Sequence, residues 1–297
     1  MTRIDVALCT FRRASVCSTL ASLATQRLPE GVQMRIIIAD NDETDSARSR
    51  IDCASAALQL PLLYLHAPAR NISIARNACL EAADADWIAF LDDDEQAEPD
   101  WLAQLLDCAL SSRADAVFGP ALAEYGPQAP DWMRRQDHHS NHPVRQGSRV
   151  ETGHTCNALL RWKSTPWQTQ RFDPARGKSG GEDTEFFFRL HRSGARFDIC
   201  PQAVVRETVS PERLEMFWLL QRKYRAGQSH AARSQTLPQR AALAASATCK
   251  MLFCAAAALV TAWSAYQRNF WLLRAALHTG VASGCLALSQ PEIYGRG

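Results

Sequence analysis

A short apolar run that ends in four consecutive acidic residues is the feature that most constrains the fold of this chain. Residues Trp87–Leu91 (WIAFL) carry no charged side chain and are followed at once by Asp92, Asp93, Asp94 and Glu95. An unbroken apolar run of this length predicts a strand that is buried on both faces. In open α/β sheets, ligands bind beyond the carboxyl ends of such strands.

Four adjacent carboxylates repel one another unless a positive charge compensates them. Magnesium is a suitable counter-ion, because it binds one or two carboxylates together with the phosphates of a substrate. The alternative is a solvated acidic turn before the helix that is predicted to begin near Pro99, since like charges are usually solvated. The other motifs of the chain favour the bound cation.

Strand and helix patterns alternate through the first third of the chain. Strands are predicted at residues 4–8, 35–39, 62–65 and 87–91, and helices at residues up to 26, 47–59, 72–83 and 99–111. This alternation indicates an α/β fold with a mostly parallel central sheet. The chain has no G-x-G-x-x-G or G-x-x-x-x-G-K-[ST] motif, which argues against a dehydrogenase or a P-loop enzyme.

The later part of the chain has a different pattern. Strands are predicted at 116–118 and 157–162, a loop or lid at 120–148, and helices at 185–193 and 212–227. The composition then becomes apolar at 241–267 and 270–288. We therefore expect an α/β domain over residues 1–210 and a helical, apolar region over 211–297.

The two apolar segments are each near the length of about 20 residues that spans a bilayer, but they are rich in alanine. A spanning hairpin, interfacial helices and a soluble helical cap all remain open. Basic residues precede the segments, as in a cytoplasmic membrane anchor, and they favour membrane contact. These are Arg222, Lys223 and Arg225, and the alternative for them is an ordinary solvated helix face.

The composition indicates the cellular compartment and argues against a nucleic-acid partner. The net charge is +2, from 33 basic and 31 acidic residues, so we expect no nucleic-acid partner. Ten cysteines without a C-x-x-C pair fit a reduced, cytosolic protein. The chain opens on a strand pattern and not on a secretory signal, so we expect it inside the cell.

Five motifs occur in the order and at the spacing of one known family. They are residues 4–12 (IDVALCTFR), 36–41 (IIIADN), 70–77 (RNISIARN), 90–95 (FLDDDE) and 180–190 (GGEDTEFFFRL). With them the chain resembles the family 2 glycosyltransferases, inverting GT-A enzymes that use nucleotide-diphosphate sugars. Within that family it is similar to bacterial exopolysaccharide transferases of the succinoglycan glucosyltransferase type.

The resemblance identifies the acidic run as the D-x-D motif of this family. It implies that Asp92 contacts the nucleotide ribose or the metal, and that Asp94 ligates the Mn²⁺ or Mg²⁺ ion that holds the diphosphate. Such an ion neutralises the charge that builds on the leaving group. Asp93 is a weaker ligand candidate at the same nucleotide site, because adjacent side chains of a strand-like segment point in opposite directions.

The resemblance also implies a nucleotide pocket built from the ends of the first strands. Thr10, Phe11 and Arg12 follow the first strand, where they would flank the base. Asp40 follows the second strand, where it would accept a hydrogen bond from a uracil ring. Two alternatives remain open: Asp40 could cap the following turn, and Phe11 could belong to the core.

A third segment matches the contacts to ribose and diphosphate in the family. It contributes Arg70, Asn71 and Arg76. The guanidinium of Arg76 could donate to a phosphate or pair with the aspartates, and both arrangements would help to assemble the site.

The G-G-E-D segment supplies the expected catalytic base. By resemblance, Asp183 takes the proton of the acceptor hydroxyl as that oxygen attacks the anomeric carbon. The alternative is that Asp183 only caps the following helix, and Glu182 is the second candidate for the base. The stretch 152–157 (TGHTCN) is longer than the T-G-N usual in the family, so acceptor contacts from it stay open.

The resemblance thus implies a metal-dependent hexosyltransferase at the inner face of the cell membrane. It would move a sugar from a UDP-sugar to a growing glycan. This acceptor would be either linked to a lipid, polyprenyl diphosphate, or an oligosaccharide. One alternative is a non-catalytic, membrane-associated partner in polysaccharide assembly with a degenerate transferase domain. Another is a sugar nucleotidyltransferase, but residues 9–13 lack the glycines of its opening loop.

Overall fold

The structure, a computed structural model, describes residues 1–145, 147, 149–231 and 236–286. The chain divides into two compact units. The first unit covers residues 1–124 and 140–208, and the second covers the described residues of 125–139 and 209–292. The domain boundary expected after residue 210 stays a prediction, and residues 232–235 and 287–297 of the expected C-terminal region lie outside the described residues.

Strands and helices alternate along the first unit as expected. The strands are β1 (Thr2–Thr10), β2 (Val32–Asp40), β3 (Leu62–His66), β4 (Trp87–Leu91), β5 (Glu95–Ala97), β6 (Ala116–Phe118), β7 (Ala121–Glu124), β8 (Asn157–Arg161), β9 (Phe197–Ile199) and β10 (Val205–Thr208). The helices are α1 (Val16–Ala24), α2 (Arg48–Leu58), α3 (Ile72–Ala82), α4 (Trp101–Ser112), α5 (Asp131–Gln136), α6 (Glu182–Arg192), α7 (Met216–Ala231), α8 (Leu237–Val260) and α9 (Ala265–Cys285).

A seven-stranded sheet forms the centre of the first unit, in the order β3-β2-β1-β4-β8-β6-β9. Strands β1 to β4 pair in parallel, β8 is antiparallel to both of its neighbours, and β9 is parallel to β6. The prediction of a mostly parallel α/β sheet is therefore confirmed. The apolar run β4 lies in its middle and is buried along its whole length.

Side chains of β1 alternate between the two faces of this sheet. Ile4, Val6 and Leu8 pack on one face with α1, α2 and α4, whereas Ala7 packs on the other face with α3 and α6. Asp5 is buried as well, and its carboxylate accepts two hydrogen bonds from Arg35 at 2.8 Å. Both faces of the sheet are thus covered, as parallel sheets require.

The prediction of elements from sequence was wrong for several short polar strands, which it missed. The expected loop or lid at 120–148 contains β7 and α5, and the acidic run leads into β5. A second sheet, in the order β5-β10-β7, joins these strands. Strands of three or four residues with charged side chains lack the apolar pattern from which strands are predicted. These segments become strands because they pair with neighbouring strands of the sheet.

The second unit is helical and consists of α5, α7, α8 and α9. The predicted helix at 212–227 begins only at Met216, because Pro211–Leu214 form a 3₁₀ turn. Helix α9 packs against both α7 and α8. By length and composition α8 is able to cross a membrane, and most of its apolar stretch is exposed.

Candidate active site

The strand order brings several chain segments to one edge of the central sheet. In the parallel pair β1–β2, Thr10 lies opposite Asp40, so both strands end at the same level. Strand β4 ends nearby at Leu91, directly before the acidic run. Because β8 is antiparallel, its first residue Asn157 lies opposite Leu91, and the loop before it reaches this same edge.

Asp93 and Asp94 face the end of β1. The hydroxyl of Thr10 donates to Asp93 Oδ2 at 2.7 Å. The guanidinium of Arg13 donates to Asp93 Oδ1 at 3.0 Å and to Asp94 Oδ2 at 2.5 Å. Burial raises the pKa of Asp93 to about 6, although Arg13 opposes this effect. Arg13 therefore provides the positive charge that the acidic run needs inside the protein.

Asp92 has a different environment from its neighbour. Its side chain is 42% exposed, and Nη2 of Arg76 lies 3.7 Å from its Oδ1 atom. Its backbone N–H donates to the buried carboxylate of Glu95 at 3.0 Å. Asp94 is 21% exposed. The two residues of the D-x-D motif are thus partly exposed, whereas Asp93 is buried.

Arg76 links the acidic run to the G-G-E-D segment. It is buried on α3, and its Nη1 group donates to Glu182 Oε1 while its Nη2 group faces Asp92. Its guanidinium also lies over the ring of Phe172, 5.6 Å from the centroid. Burial raises the pKa of Glu182, although Arg76 acts in the opposite direction. Two motifs that are far apart in sequence therefore meet in one ion-paired cluster.

Helix α6 begins at this cluster. Gly180 and Gly181 have φ angles of +91° and +84°, a backbone conformation that favours glycine, and they turn the chain into the helix at Glu182. The prediction that this helix starts at residue 185 was therefore three residues late. Asp183 lies in the first turn and is not the cap, because Gly181 occupies that position.

Asp183 is held by two hydrogen bonds. The backbone N–H of Thr184 donates to Oδ1 at 2.6 Å, and His154 Nδ1 lies 3.0 Å from Oδ2. Burial raises the pKa of Asp183, but the nearby His154 and Arg76 outweigh that effect and lower it well below its usual range. The carboxylate of Asp183 is therefore held in its ionised form.

Several residues predicted to bind the nucleotide have partners within the protein. Asp40 is fully buried and accepts from the N–H groups of Asp42 and Ala47 at 3.1 Å and from the hydroxyl of Tyr64 at 2.8 Å. Arg12 has a φ of +56°, lies over the ring of Phe11 and pairs with Asp42 at 2.9 Å. Their roles toward a nucleotide stay predictions.

The third predicted segment lies at the start of α3. Asn71 is the N-cap of this helix, and its side chain accepts from the N–H groups of Ser73 and Ile74. Asn71 therefore has the structural role of fixing the helix that carries Arg76. Arg70 pairs with Glu43 at 3.1 Å.

Sequence analysis did not single out Arg13 or His154, which contact the acidic run and Asp183. The signal for Arg13 was available, since it follows a strand whose end meets the acidic run. The signal for His154 was weaker. Only the antiparallel pairing of β8 with β4 brings its loop to the site, and that pairing is not visible in the sequence.

Comparison with known proteins agrees with this architecture. The sequence model of glycosyl transferase family 2 matches residues 5–168, and that of glycosyl transferase family group 2 matches residues 87–288. The chain is 45% identical over 296 residues to the succinoglycan biosynthesis protein ExoM of Rhizobium meliloti (strain 1021). That alignment covers 98% of this chain and 96% of the relative.

Two solved structures share the fold. The mannosyltransferase PcManGT from Pyrobaculum calidifontis, in complex with GDP-Man and Mn²⁺, superposes with a TM-score of 0.60 at 18% identity, covering 94% of this chain and 87% of that one. TarS 1–349 of S. aureus, in complex with UDP, superposes with a TM-score of 0.55 at 16% identity, covering 96% and 90%. The first unit therefore has the GT-A fold of glycosyltransferases. This chain belongs to glycosyltransferase family 2.

Proposed function

We propose that this chain is an inverting, metal-dependent transferase that moves a hexose from a UDP-sugar to a growing glycan. The observation that carries the proposal is the cluster in which Arg76 joins Asp92 to Glu182. It brings the segment expected to hold the diphosphate next to the segment expected to activate the acceptor.

The partly exposed carboxylates of Asp92 and Asp94 fit a divalent cation. Within the described residues, no three His, Cys, Asp or Glu side chains converge as a ready metal site. Two accessible carboxylates are nevertheless what Mn²⁺ or Mg²⁺ needs when the substrate supplies phosphate oxygens as its other ligands. When bound, the ion would supply Lewis-acid stabilisation of the leaving diphosphate.

Asp183 is the proposed base at the acceptor hydroxyl. Its carboxylate is ionised and fixed in position, and Arg76 ties the neighbouring Glu182 to the acidic run. An inverting transfer needs a proton acceptor within hydrogen-bond reach of the attacking oxygen. Glu182 is less suited to that role, because it is buried and ion-paired with Arg76.

The acceptor is proposed to be a lipid-linked glycan of exopolysaccharide or lipopolysaccharide synthesis, met at the inner face of the cell membrane. The relative ExoM carries succinoglycan biosynthesis in its name, which supports a polysaccharide product. Exposed apolar side chains at the end of α8 and just beyond it support membrane contact, namely Leu252, Phe253, Leu259, Val260 and Trp263.

Replacement of Asp183 by asparagine tests the proposed role of the base. We expect Asp183→Asn to bind UDP with near-normal affinity. Its rate of UDP release, measured with the UDP-sugar that wild type prefers among a panel, should fall by about 10²–10⁴-fold. Glu185→Gln is the matched control, since Glu185 lies on the same helix and pairs with Arg189 at 3.0 Å. Undiminished turnover in Asp183→Asn would remove Asp183 as the base.

A further inference from the structure

Three basic residues of α7 are less exposed than residues of a solvated helix face. Arg222, Lys223 and Arg225 are each only partly exposed. The guanidinium of Arg222 lies over the ring of Trp218, 5.4 Å from its centroid. An ordinary solvated helix face therefore does not describe these three side chains.

Lys223 is the member of this group whose charge lacks compensation. Burial lowers the pKa of its ammonium group, and the positive charge of Arg222 adds to this effect. Within the residues that the structure describes, no carboxylate pairs with Lys223 and no acceptor receives a hydrogen bond from it. A cation that is partly withdrawn from water costs free energy unless an anion approaches it. Lys223 thus has charge and donors available for an anion.

Other cations lie in the same cluster of the second unit. The guanidinium groups of Arg213 and Arg222 lie over one indole ring, 5.6 and 5.4 Å from its centroid. Burial lowers the pKa of His138 to about 4, and the nearby Lys223 acts in the same direction, whereas Asp137 opposes it. The imidazole of His138 is therefore neutral at pH 7, and the positive charge of the cluster comes from its arginines and Lys223.

A chain of contacts joins this cluster to the exposed apolar residues at the end of α8. Nε2 of His138 bonds to Oε1 of Gln136 at 2.6 Å, and Nε2 of Gln136 donates to the carbonyl of Tyr266 at 2.6 Å. The exposed Arg135 lies over the ring of Tyr266, 4.8 Å from its centroid. Tyr266 is in the first turn of α9, shortly after Trp263, which is 82% exposed. The basic cluster and the apolar surface are therefore neighbours within the second unit.

Exposed apolar side chains beside cationic ones suit the surface of an anionic bilayer. Apolar groups enter the acyl region, tryptophan and tyrosine rings lie at the level of the headgroups, and lysine extends its charge to the phosphates. A soluble phosphate would bury none of the apolar area next to the cluster, whereas a lipid would bury it. Charge and apolar area together favour a lipid phosphate.

We propose that Lys223, with Arg222 beside it, binds the phosphate of an anionic membrane lipid while Leu259 and Trp263 enter the bilayer. The ammonium group of Lys223 donates hydrogen bonds to the phosphate oxygens, and the phosphate compensates its charge. This inference refines the membrane contact proposed above. Its site lies on the second unit and uses no residue of the candidate active site.

Replacement of Lys223 by methionine tests the site, because methionine keeps an unbranched apolar side chain and loses the charge. We expect Lys223→Met to weaken binding to phosphatidylglycerol vesicles about fivefold, the contribution of one basic residue near an anionic surface. Phosphatidylcholine vesicles should bind wild type more weakly and should not distinguish the two proteins. Lys223→Arg keeps the charge and should retain wild-type binding. The matched control is Lys163→Met, which removes an exposed charge from the first unit and should also retain it.

Three results would overturn the inference. If Lys223→Met binds phosphatidylglycerol vesicles as tightly as wild type, Lys223 holds no lipid phosphate, and a larger rise of Tm with inorganic diphosphate in wild type than in Lys223→Met would then assign the site to a soluble anion. If Lys223→Arg loses as much binding as Lys223→Met, packing and not charge is responsible. If wild type binds phosphatidylglycerol no better than phosphatidylcholine, the surface does not recognise an anionic lipid. Vesicle binding requires no sugar transfer, so failure of this inference and failure of the proposed transferase activity are separate results.

Discussion

Arg76 is the residue on which the charge balance of the site depends. It is buried and lies between Glu182, which is also buried, and Asp92, which is partly exposed. A buried ion pair does not by itself prove stability, since desolvation opposes the attraction. The removal of one partner is costly in any case, because the other charge is left buried without compensation.

We therefore expect Arg76→Ala to lower the free energy of unfolding by about 3 kcal/mol or more, measured by urea denaturation at pH 7. Arg76→Lys should lose less stability, because it keeps the charge but not the forked geometry that reaches both carboxylates. In Arg76→Ala combined with Glu182→Gln, part of the loss should return, since the buried charge is gone. Equal urea midpoints for wild type and Arg76→Ala would contradict this account.

At the scale of elements, the sequence predicted what regular apolar patterns determine. Strand β4 and helix α3 were predicted within one residue of their bounds, and the acidic run lies at the edge of the sheet as expected. Strands β5 and β10 were not predicted, because their few residues become strands by pairing with each other and, for β10, with β7. His154 was missed for a related reason. The pairing of β8 with β4, which are far apart in sequence, brings its loop to the site, and no local sequence pattern indicates this.

His139 connects the segment before it to helix α7 of the second unit. Its ring stacks on Trp218, with centroids 5.3 Å apart, and its nitrogens bond to the hydroxyl of Tyr125 at 3.1 Å and the carbonyl of Arg213 at 2.9 Å. Here the ring packs in the core of the unit and is not arranged as a metal ligand.

This packing makes the stability of the second unit dependent on pH. Burial lowers the pKa of His139 to about 4, whereas in the unfolded chain this histidine has its ordinary pKa near 6.5. Between these two pH values the unfolded chain therefore binds a proton that the folded protein does not bind. The contribution of His139 is therefore complete above pH 6.5 and is lost as the pH falls toward 4, by up to about 3 kcal/mol. Urea unfolding between pH 4.5 and 7.5 should show this loss in wild type and a smaller slope in His139→Gln. Parallel curves for the two proteins would contradict it.

The end of α8 and the residues after it form the apolar surface that we expect to meet the membrane. Leu259 and Trp263 are exposed there, so glutamate at both positions should leave the fold intact. We expect Leu259→Glu with Trp263→Glu to weaken binding to phosphatidylglycerol vesicles about tenfold or more, because apolar area is no longer buried. The control, Leu110→Glu with Val144→Glu, adds the same charge at exposed apolar positions of the first unit. Equal vesicle binding by both double variants would rule out this surface.

At the scale of the whole molecule, the site is a property of the fold and not of any one segment. Its residues come from the loop after β1, the run after β4, helix α3, the loop before β8 and the first turn of α6. The segments meet because parallel strands share one edge and β8 runs back to it. Ligands that bind this edge should therefore stabilise the folded chain as a whole over the unfolded chain, in which the edge does not exist.

Thermal unfolding with UDP and Mn²⁺ tests the metal part of the proposal on the intact chain. At a ligand concentration about 100 times the Kd, binding adds about 2.7 kcal/mol to the stability of the folded state. We expect UDP with Mn²⁺ to raise Tm clearly more than UDP alone, because the carboxylates of Asp92 and Asp94 and the diphosphate would share the ion. Asp94→Asn should lose the increment due to Mn²⁺. The control Asp100→Asn should keep it, because Asp100 is a surface carboxylate that pairs with Arg27 at 3.4 Å. If wild type and Asp94→Asn gain the same increment, Asp94 is not a ligand of the ion.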